Sequence, residues 1–88
     1  MTEQQLQSKI KCFLKKDGWI VIKTIVLSET AYPDLFCFKM GKTMFIEVKA
    51  LGKKPEPLQE YRINELLKQG FKAFYCDSFE MFKEKYNL

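Results

Sequence analysis

Apolar residues in the first segment of the chain recur at the spacing of an amphipathic helix. The segment begins after Thr2, which is a candidate N-cap, and ends before Gly18, a candidate stop signal. The spacing places its apolar residues along one side of the helix, and these residues are Leu6, Ile10, Phe13 and Leu14. We therefore predict a helix that packs one side against a core.

The pattern then changes to runs that are rich in β-branched and aromatic residues. Runs over residues 19–27, 34–40 and 43–51 predict three strands. The last two runs are separated only by Gly41 and Lys42, and a two-residue connection with Gly first favours a type II′ hairpin turn. We expect a β-hairpin in the middle of the chain.

The predicted hairpin turn also sets which residues face each other. Counting outward from the turn places Phe36 opposite Glu47 and Asp34 opposite Lys49. Because successive side chains of a strand point to opposite faces, Asp34, Glu47 and Lys49 share one face. Both faces are otherwise largely apolar, so we expect helices to cover the sheet on both sides.

After the hairpin, the pattern predicts a linker and a second helix. Residues 52–57 contain two prolines and two lysines, which is typical of a polar linker. Pro57 suits the first turn of a helix that runs to about Lys68, and Gly70 ends that helix.

The end of the chain predicts a short strand and a last helix. Residues 71–76 form the strand-like run, and Asp77 with Glu80 makes a capping-box pattern that opens the helix. The predicted order is αβββαβα, which indicates an α/β fold with a mixed sheet flanked by helices. Eighty-eight residues are enough for one core only, so we expect a single domain over residues 1–88.

Composition narrows the class of protein further. The chain has no His, so any metal ion must be held by oxygen ligands. Three cysteines at wide spacing fit neither a disulfide framework nor a zinc site, and we expect buried free thiols. The apolar runs are too short to cross a bilayer, which predicts a soluble, intracellular protein without membrane partners. A net charge of +4 suits an anionic partner or an ordinary solvated surface.

Asp34, Glu47 and Lys49 form the strongest candidate for chemistry. Two carboxylates drawn into a partly dehydrated setting repel unless a cation lies between them, and hard oxygen ligands suit Mg²⁺ or Mn²⁺. Lys49 is placed to orient or deprotonate an attacking water, or to stabilise negative charge on a phosphate. The alternative is structural: Asp34 is an ordinary strand-start residue, and Glu47 with Lys49 is a solvated pair on an edge strand.

Four further polar residues accompany this set. Glu3 extends the core-facing stripe of the first helix, although it is equally well explained as an acid favoured by the helix dipole. Gln59 lines up with Ile63 and Leu66, so its amide is expected to face the sheet and to hold a water, a phosphate or Lys49. Lys53 and Lys54 flank the candidate site and are the first choice for contacts with DNA, although lysines of this kind more often form an ordinary solvated surface.

These residues resemble the signature of the PD-(D/E)XK nuclease superfamily. Pro33-Asp34 followed by Glu47-Val48-Lys49 is similar to its motif, and with Glu3 and Gln59 the pattern resembles the VRR-NUC branch over nearly the whole chain. Members of that branch usually have Gly two residues before the Pro, where this chain has Ala31.

The resemblance implies a fold and a set of roles. It implies a restriction-endonuclease-like αβββαβ core, with metal ligation by Asp34, Glu47 and the main-chain carbonyl of Val48. It also implies catalytic support from Lys49 and helper roles for Glu3 and Gln59.

The activity implied is that of a Mg²⁺ or Mn²⁺ dependent DNA endonuclease. The branch occurs attached to DNA-repair nucleases or alone in phages and bacteria, which implies the cytoplasm of a bacterium or of a phage-infected cell. A bare core has too little surface to read a long sequence, so we expect branched or junction DNA that is recognised by its shape. Stand-alone members of the branch resemble homodimeric four-way (Holliday) junction resolvases, which implies a homodimer with two active sites. The alternatives are a non-catalytic DNA-binding module with the same fold, and a nuclease of ordinary duplex or single-stranded DNA.

Overall fold

The computed structural model describes residues 1–25 and 27–88, and it confirms the predicted order of helices and strands. The helices are α1 (Glu3–Lys16), α2 (Pro57–Lys68) and α3 (Phe79–Tyr86). The strands are β1 (Ile20–Lys23), β2 (Leu35–Lys39), β3 (Lys42–Val48) and β4 (Lys72–Cys76). None of the helices in these residues is long and apolar enough to cross a membrane.

The four strands form one mixed sheet in the order β1-β2-β3-β4. β2 pairs antiparallel with both β1 and β3, and β4 runs parallel to β3. A parallel pair needs a crossover connection, and α2 with the linker before it supplies that connection. The prediction of a mixed sheet flanked by helices is therefore confirmed.

The start of α1 is fixed by the predicted cap. The Thr2 hydroxyl accepts a hydrogen bond from the main-chain N–H of Gln5 at 3.1 Å, and the Gln5 side chain accepts one from the N–H of Thr2 at 2.8 Å. This reciprocal pair satisfies two donors that the first turn would otherwise leave free. At the other end, Gly18 has a φ of +90°, the left-handed conformation in which a helix stops easily.

The hairpin turn lies one residue earlier than predicted. Met40 and Gly41 have φ values of +45° and +79°, and Lys39 pairs with Lys42. Two successive left-handed residues make a type I′ turn, whose twist matches that of the flanking strands. The predicted II′ turn at Gly41 and Lys42 is wrong, because the local glycine signal fits either turn.

The cross-strand partners shift with the turn. Phe36 lies opposite Phe45, and the predicted pairing of Phe36 with Glu47 is wrong. Each partner is displaced by two residues, and a displacement of two leaves every side chain on its predicted face. The predicted assignment of side chains to the two faces of the hairpin is therefore correct, although the predicted register is wrong.

β1 is shorter than the predicted run 19–27. It ends at Lys23, which pairs with Leu35 at the start of β2. Beyond this pair, Pro33 has no N–H to donate to a ladder, and the Thr24 hydroxyl lies 3.1 Å from its carbonyl oxygen. Residue 26 of the predicted run lies outside the described residues.

The N-cap of α3 differs from the prediction. The Ser78 hydroxyl accepts from the main-chain N–H of Met81 at 3.1 Å, which makes Ser78 the cap. Asp77 accepts instead from the N–H of Gly52 at 3.0 Å and so ties the linker to this turn. The capping box of Asp77 with Glu80 is therefore wrong, since a nearer hydroxyl occupies the capping position.

The main core lies between the sheet and the pair α1 and α3. Leu35, Cys37, Met44, Ile46 and Val48 project into it from the hairpin, as predicted. A smaller cluster of Phe45, Ile63 and Ala73 lies on the opposite face, under α2.

The cysteines follow the prediction at two of three positions. Cys37 and Cys76 are buried, and burial raises the pKa of each thiol to about 12. Cys12 is exposed, because it lies two residues after Ile10 and thus about 200° further around α1.

Helices cover only part of the sheet. α2 packs against β4, and the α2 face of β1 and β2 remains open, with Ile20 64% exposed and Ile22 50% exposed. The expectation of full coverage on both sides is wrong for this half of one face. The reason is that a single 12-residue helix is too narrow to cover four strands.

Candidate active site

The predicted site residues meet where β2 begins and β3 ends. Asp34 directly precedes Leu35, whose partner across the hairpin is Ile46. Asp34 therefore lies at the level of Glu47, the next residue of β3. The amino end of α2 comes to the same place, because Gln59 in its first turn contacts Glu47.

Asp34 is held by the backbone of the neighbouring strand. Its Oδ2 atom accepts a hydrogen bond of 2.9 Å from the main-chain N–H of Val48. The predicted pairing of Asp34 with Lys49 is wrong, because the turn shifts the register. The bond to Val48 fixes one oxygen of Asp34 beside the carboxylate-bearing end of β3.

Glu47 is the most deeply buried ionisable group of the site, with 3% of its surface exposed. Its Oε2 atom accepts a hydrogen bond of 2.9 Å from Gln59 Nε2, and Lys49 Nζ lies 3.7 Å from the same atom. Its other oxygen, Oε1, is buried without a hydrogen-bond partner. An unpaired oxygen at this depth is costly, and such atoms call for a specific explanation.

The electrostatics of the site favour an added positive charge. Burial and, as the next largest cause, the charge of Asp34 raise the pKa of Glu47, and Lys49 lowers it; the net result is a pKa of about 7. One nearby ammonium group is thus too little to offset burial and a second carboxylate. A cation beside Glu47 would stabilise its charged form.

Gln59 is held in place by the cap of its own helix. Its Oε1 atom accepts from the main-chain N–H of Glu56 at 2.8 Å, which leaves the amide NH₂ group directed at Glu47. The prediction that this side chain faces the sheet is confirmed. Its partner in the structure is Glu47 rather than Lys49.

Comparison with known proteins bears on this arrangement. No family model and no curated protein matches the sequence. A solved structure described as a VRR_NUC domain superposes on 99% of this chain and 97% of its own, with a TM-score of 0.86 and 24% sequence identity. The chain has the fold of a VRR_NUC domain. The predicted resemblance is thereby confirmed at the level of the fold.

Within the VRR_NUC fold, the buried polar residue of α1 is not the one that the sequence predicted. Glu3 keeps the predicted position on the side of Ile10 and Leu14, but it is exposed, because it lies in the first turn, before the helix reaches the core. Its charge nevertheless raises the pKa of Glu47, which places it within electrostatic range of the site. Gln7, one turn later, is the buried polar residue of α1, and its polar character hid it from a pattern of apolar positions.

The two linker lysines lie at the surface. Lys53 and Lys54 are exposed in the segment that follows β3, and the N–H of Lys53 donates to the carbonyl of Ala50 at 2.9 Å. This turn starts one residue after Lys49. Both ammonium groups are therefore free to reach an anionic ligand outside the site.

Sequence reasoning missed a cluster that holds the loop before Asp34. Arg62 of α2 donates to the carbonyl of Thr30 at 3.1 Å and lies 4.6 Å from the ring centre of Tyr32. The Tyr32 hydroxyl donates to Glu65 at 2.7 Å. The only signal in the sequence was the spacing of Arg62 and Glu65 on one side of a helix. These contacts fasten the loop to α2 just before Pro33.

The same loop contains a strained residue. Ala31 has a φ of +68°, a left-handed conformation that favours glycine. This is the position at which the resembled family usually has Gly. The backbone thus keeps the shape expected for Gly and carries a methyl group in its place.

The residues at the site fit a divalent cation. The buried Oε1 atom of Glu47 lacks a partner, and the donor set of carboxylate and carbonyl oxygens suits Mg²⁺ or Mn²⁺. In residues 1–25 and 27–88, no three acidic or thiol side chains cluster into a metal site on their own. The predicted set differs from such a cluster, because it takes only two ligands from carboxylates.

Proposed function

We propose that this chain is a divalent-metal-dependent DNA endonuclease of the VRR-NUC family. The observation that carries the proposal is the buried Oε1 atom of Glu47, which has no hydrogen-bond partner and lies beside a second carboxylate and a lysine. A purely structural acid at this depth would be paired through both oxygens. The shared fold supports the proposal.

Asp34, Glu47 and the main-chain carbonyl of Val48 would hold the metal ion. Mg²⁺ or Mn²⁺ bound there supplies Lewis-acid chemistry for phosphodiester hydrolysis. The protein prepares the site in two ways: Val48 N–H fixes Asp34, and Gln59 fixes Glu47. Ligands held in advance lose less freedom when the ion binds.

Lys49 supplies the positive charge that the substrate needs. Its ammonium group lies 3.7 Å from Glu47 Oε2 and its side chain is 15% exposed, so it is held near the ligand oxygens and remains open to an incoming phosphate. In this position it stabilises negative charge on the phosphate or orients the attacking water. The products would carry 5′-phosphate ends, as the family resemblance implies.

The substrate class follows from charge and size. The net charge of +4 and the exposed Lys53 and Lys54 suit a nucleic-acid backbone. The small domain offers shape recognition rather than a long reading surface, which favours branched or four-way junction DNA. A homodimer would place two sites on such a junction, in the cytoplasm of a bacterium or of a phage-infected cell.

Cleavage of a labelled four-way junction tests this function. The wild-type chain should cut the junction in Mg²⁺ or Mn²⁺ and not in EDTA, and Lys49→Ala should lower the rate by at least about 100-fold. Lys68→Ala, which removes an exposed lysine at the far end of α2, should cut like wild type.

Each outcome of the assay separates the alternatives. Junction binding without metal-dependent cleavage would favour a non-catalytic DNA-binding module. Equal rates on the junction and on a matched linear duplex would favour a nuclease of ordinary DNA. Equal activity of Lys49→Ala and wild type would contradict the role given to this lysine.

A further inference from the structure

One carboxylate of the proposed metal site belongs to a loop. Residues 27–34 form neither helix nor strand, and Asp34 is the last of them. Ala31 in the same loop has a φ of +68°. A strained backbone conformation persists only where the surrounding contacts fix it. The contacts that hold this loop therefore decide where Asp34 lies.

The sheet holds the end of the loop. The main-chain N–H of Thr24 donates to the Asp34 carbonyl at 2.8 Å, and the Thr24 hydroxyl lies 3.1 Å from the Pro33 carbonyl oxygen. The Asp34 side chain accepts from the N–H of Val48 at 2.9 Å. These contacts act on the last two residues of the loop.

Arg62 of α2 holds the middle of the loop. Its Nε atom donates to the carbonyl of Thr30 at 3.1 Å, and its Nη2 atom lies 3.6 Å from a carboxylate oxygen of Glu29. Its guanidinium carbon lies 4.6 Å from the centre of the Tyr32 ring. A single side chain from the helix thus contacts three residues of the loop.

The contacts of Arg62 differ in weight. Glu29 is 69% exposed, so its ion pair with Arg62 contributes little. The Arg62 side chain is 15% exposed, and its charged hydrogen bond to Thr30 and its position over Tyr32 are better shielded from water. The Tyr32 hydroxyl donates in turn to Glu65 at 2.7 Å. We call Arg62, Tyr32 and Glu65 the loop clasp.

The same helix also holds the second carboxylate. Gln59 donates to Glu47 Oε2 at 2.9 Å, and Arg62 follows three residues later, on a neighbouring part of the helix surface. One rigid element therefore contacts both Glu47 and the loop that contains Asp34. Metal ligands have to be held within about 0.5 Å of their working geometry, which requires support for each of them.

We infer that Arg62 is a positioning residue of the metal site, which acts through the loop clasp to hold Asp34 where it shares a cation with Glu47. The inference rests on the proposed function for the presence of that cation. A guanidinium group donates through a planar fork and lies flat on an aromatic ring, whereas a lysine ammonium is a point charge. Arg62 is therefore replaced only in part by lysine.

Calorimetric titration of the full chain with Mn²⁺ is the first test. Arg62→Ala should weaken Mn²⁺ binding by about 10-fold or more, since Asp34 loses the support of its loop. Arg62→Lys should lose less than Arg62→Ala. Tyr32→Phe, which keeps the ring and removes the hydroxyl that bonds Glu65, should also lose less. These two milder variants serve as the test if Arg62→Ala does not fold.

Hydrogen exchange of two neighbouring amides is the second test, and it is measured without metal in EDTA. The Val48 N–H donates to Asp34, whereas the Lys49 N–H donates to the carbonyl of Cys76 at 2.9 Å. A general loss of stability speeds exchange at both amides, and a loosened Asp34 speeds it at Val48 alone. Arg62→Ala should raise the ratio of the Val48 rate to the Lys49 rate by about 10-fold.

Tyr86→Phe is the matched control for stability. It removes a hydroxyl that accepts from Trp19 Nε1 at 2.8 Å, next to the end of β1 that pairs with the hairpin-turn end of β2. The loss of this bond should lower the melting temperature by about 4 to 8 °C. Mn²⁺ affinity and the exchange ratio should stay at their wild-type values, because the lost contact is remote from the loop clasp.

Several results would overturn the inference. Folded Arg62→Ala and Arg62→Lys with the Mn²⁺ affinity and exchange ratio of wild type would do so, as would equal effects in Tyr86→Phe. Weaker junction binding in Ca²⁺ by Arg62→Ala, with unchanged Mn²⁺ affinity, would make Arg62 a DNA contact instead. A wild-type chain that binds no Mn²⁺ contradicts the proposed function, and the exchange ratio then still decides whether Arg62 holds Asp34.

Discussion

Gln59 Nε2 donates a hydrogen bond of 2.9 Å to Glu47 Oε2, and this contact joins the first turn of α2 to the central strand of the sheet. It satisfies one oxygen of the buried carboxylate and leaves the other, Oε1, without a partner. A helix turn and a strand that are twelve residues apart thus shape one half of the proposed metal site.

Gln59→Ala should reduce both stability and metal affinity. The substitution leaves Glu47 Oε2 without its amide donor, which should lower the free energy of unfolding by about 1 to 3 kcal/mol. A freer carboxylate should also weaken Mn²⁺ binding, measured by calorimetry, by about 10-fold or more. Gln4→Ala, an exposed residue of α1, serves as the control and should change neither quantity. Unchanged metal affinity in Gln59→Ala would remove the positioning role of this amide.

Glu47 should make the stability of the metal-free protein depend on pH. Its pKa is about 7 in the folded protein and 4.5 without the protein environment, so the folded state binds the proton more tightly than the unfolded state. Stability should therefore fall as the pH rises through this interval, and Glu47→Gln should not show this part of the loss.

The measurement is denaturant unfolding of both proteins in EDTA. Between pH 4.5 and about pH 8, wild type should lose on the order of 2 kcal/mol more than Glu47→Gln. Saturating Mg²⁺ should restore much of that difference to wild type, since a bound cation stabilises the charged carboxylate. Glu84→Gln, the same change at an exposed position, should follow wild type. Parallel pH curves for wild type and Glu47→Gln would refute the assigned shift.

Lys53 and Lys54 should contribute to DNA affinity without taking part in cleavage chemistry. The double variant Lys53→Ala, Lys54→Ala should bind a junction more weakly in Ca²⁺, with the salt dependence of log K reduced by about 2. The matched double variant Lys15→Ala, Lys16→Ala removes two exposed lysines from the carboxyl end of α1. If both double variants lose the same affinity, the linker lysines have no special position.

Ala31→Gly should stabilise the protein. The left-handed conformation of Ala31 costs about 1 to 2 kcal/mol for a residue with a Cβ atom, and glycine removes this cost. The greater freedom of glycine in the unfolded chain cancels part of the stability that is gained. We expect a net increase of up to about 1 kcal/mol in the free energy of unfolding. Ala50→Gly, at a position without positive φ, should instead destabilise. A loss of stability in Ala31→Gly would show that the loop does not carry this strain.

The sequence predicted most of the fold because local signals agreed with the tertiary arrangement. The one-sided stripe of α1, the Thr2 cap and Pro57 at the start of α2 act within a few residues, and the structure confirms all three. The prediction of the hairpin turn was wrong because its local signal was ambiguous. Gly41 is compatible with turns that differ by one position, and the twist of the assembled sheet favours the earlier one.

In the candidate site, too, local patterns predicted some features and only the tertiary structure set the others. Alternation along β3 was enough to place Glu47 and Lys49 on one face, and the helical period was enough to turn Gln59 toward the sheet. The pairing of Asp34 with Val48 N–H depends on register, which no pattern within a single strand contains. Arg62 and Tyr32 meet across 30 residues of chain, so their contact had no periodic signal.

By itself, then, the sequence determined the order of the elements, the two faces of the hairpin and the identity of the acidic and basic groups that meet on one of them. These features follow from contacts between near neighbours and from side-chain alternation. Only the tertiary structure decided how deeply Glu47 is buried, which atoms it bonds and which half of the sheet stays uncovered. Those properties depend on how α2 crosses the sheet, and that crossing is set by the packing of the whole chain.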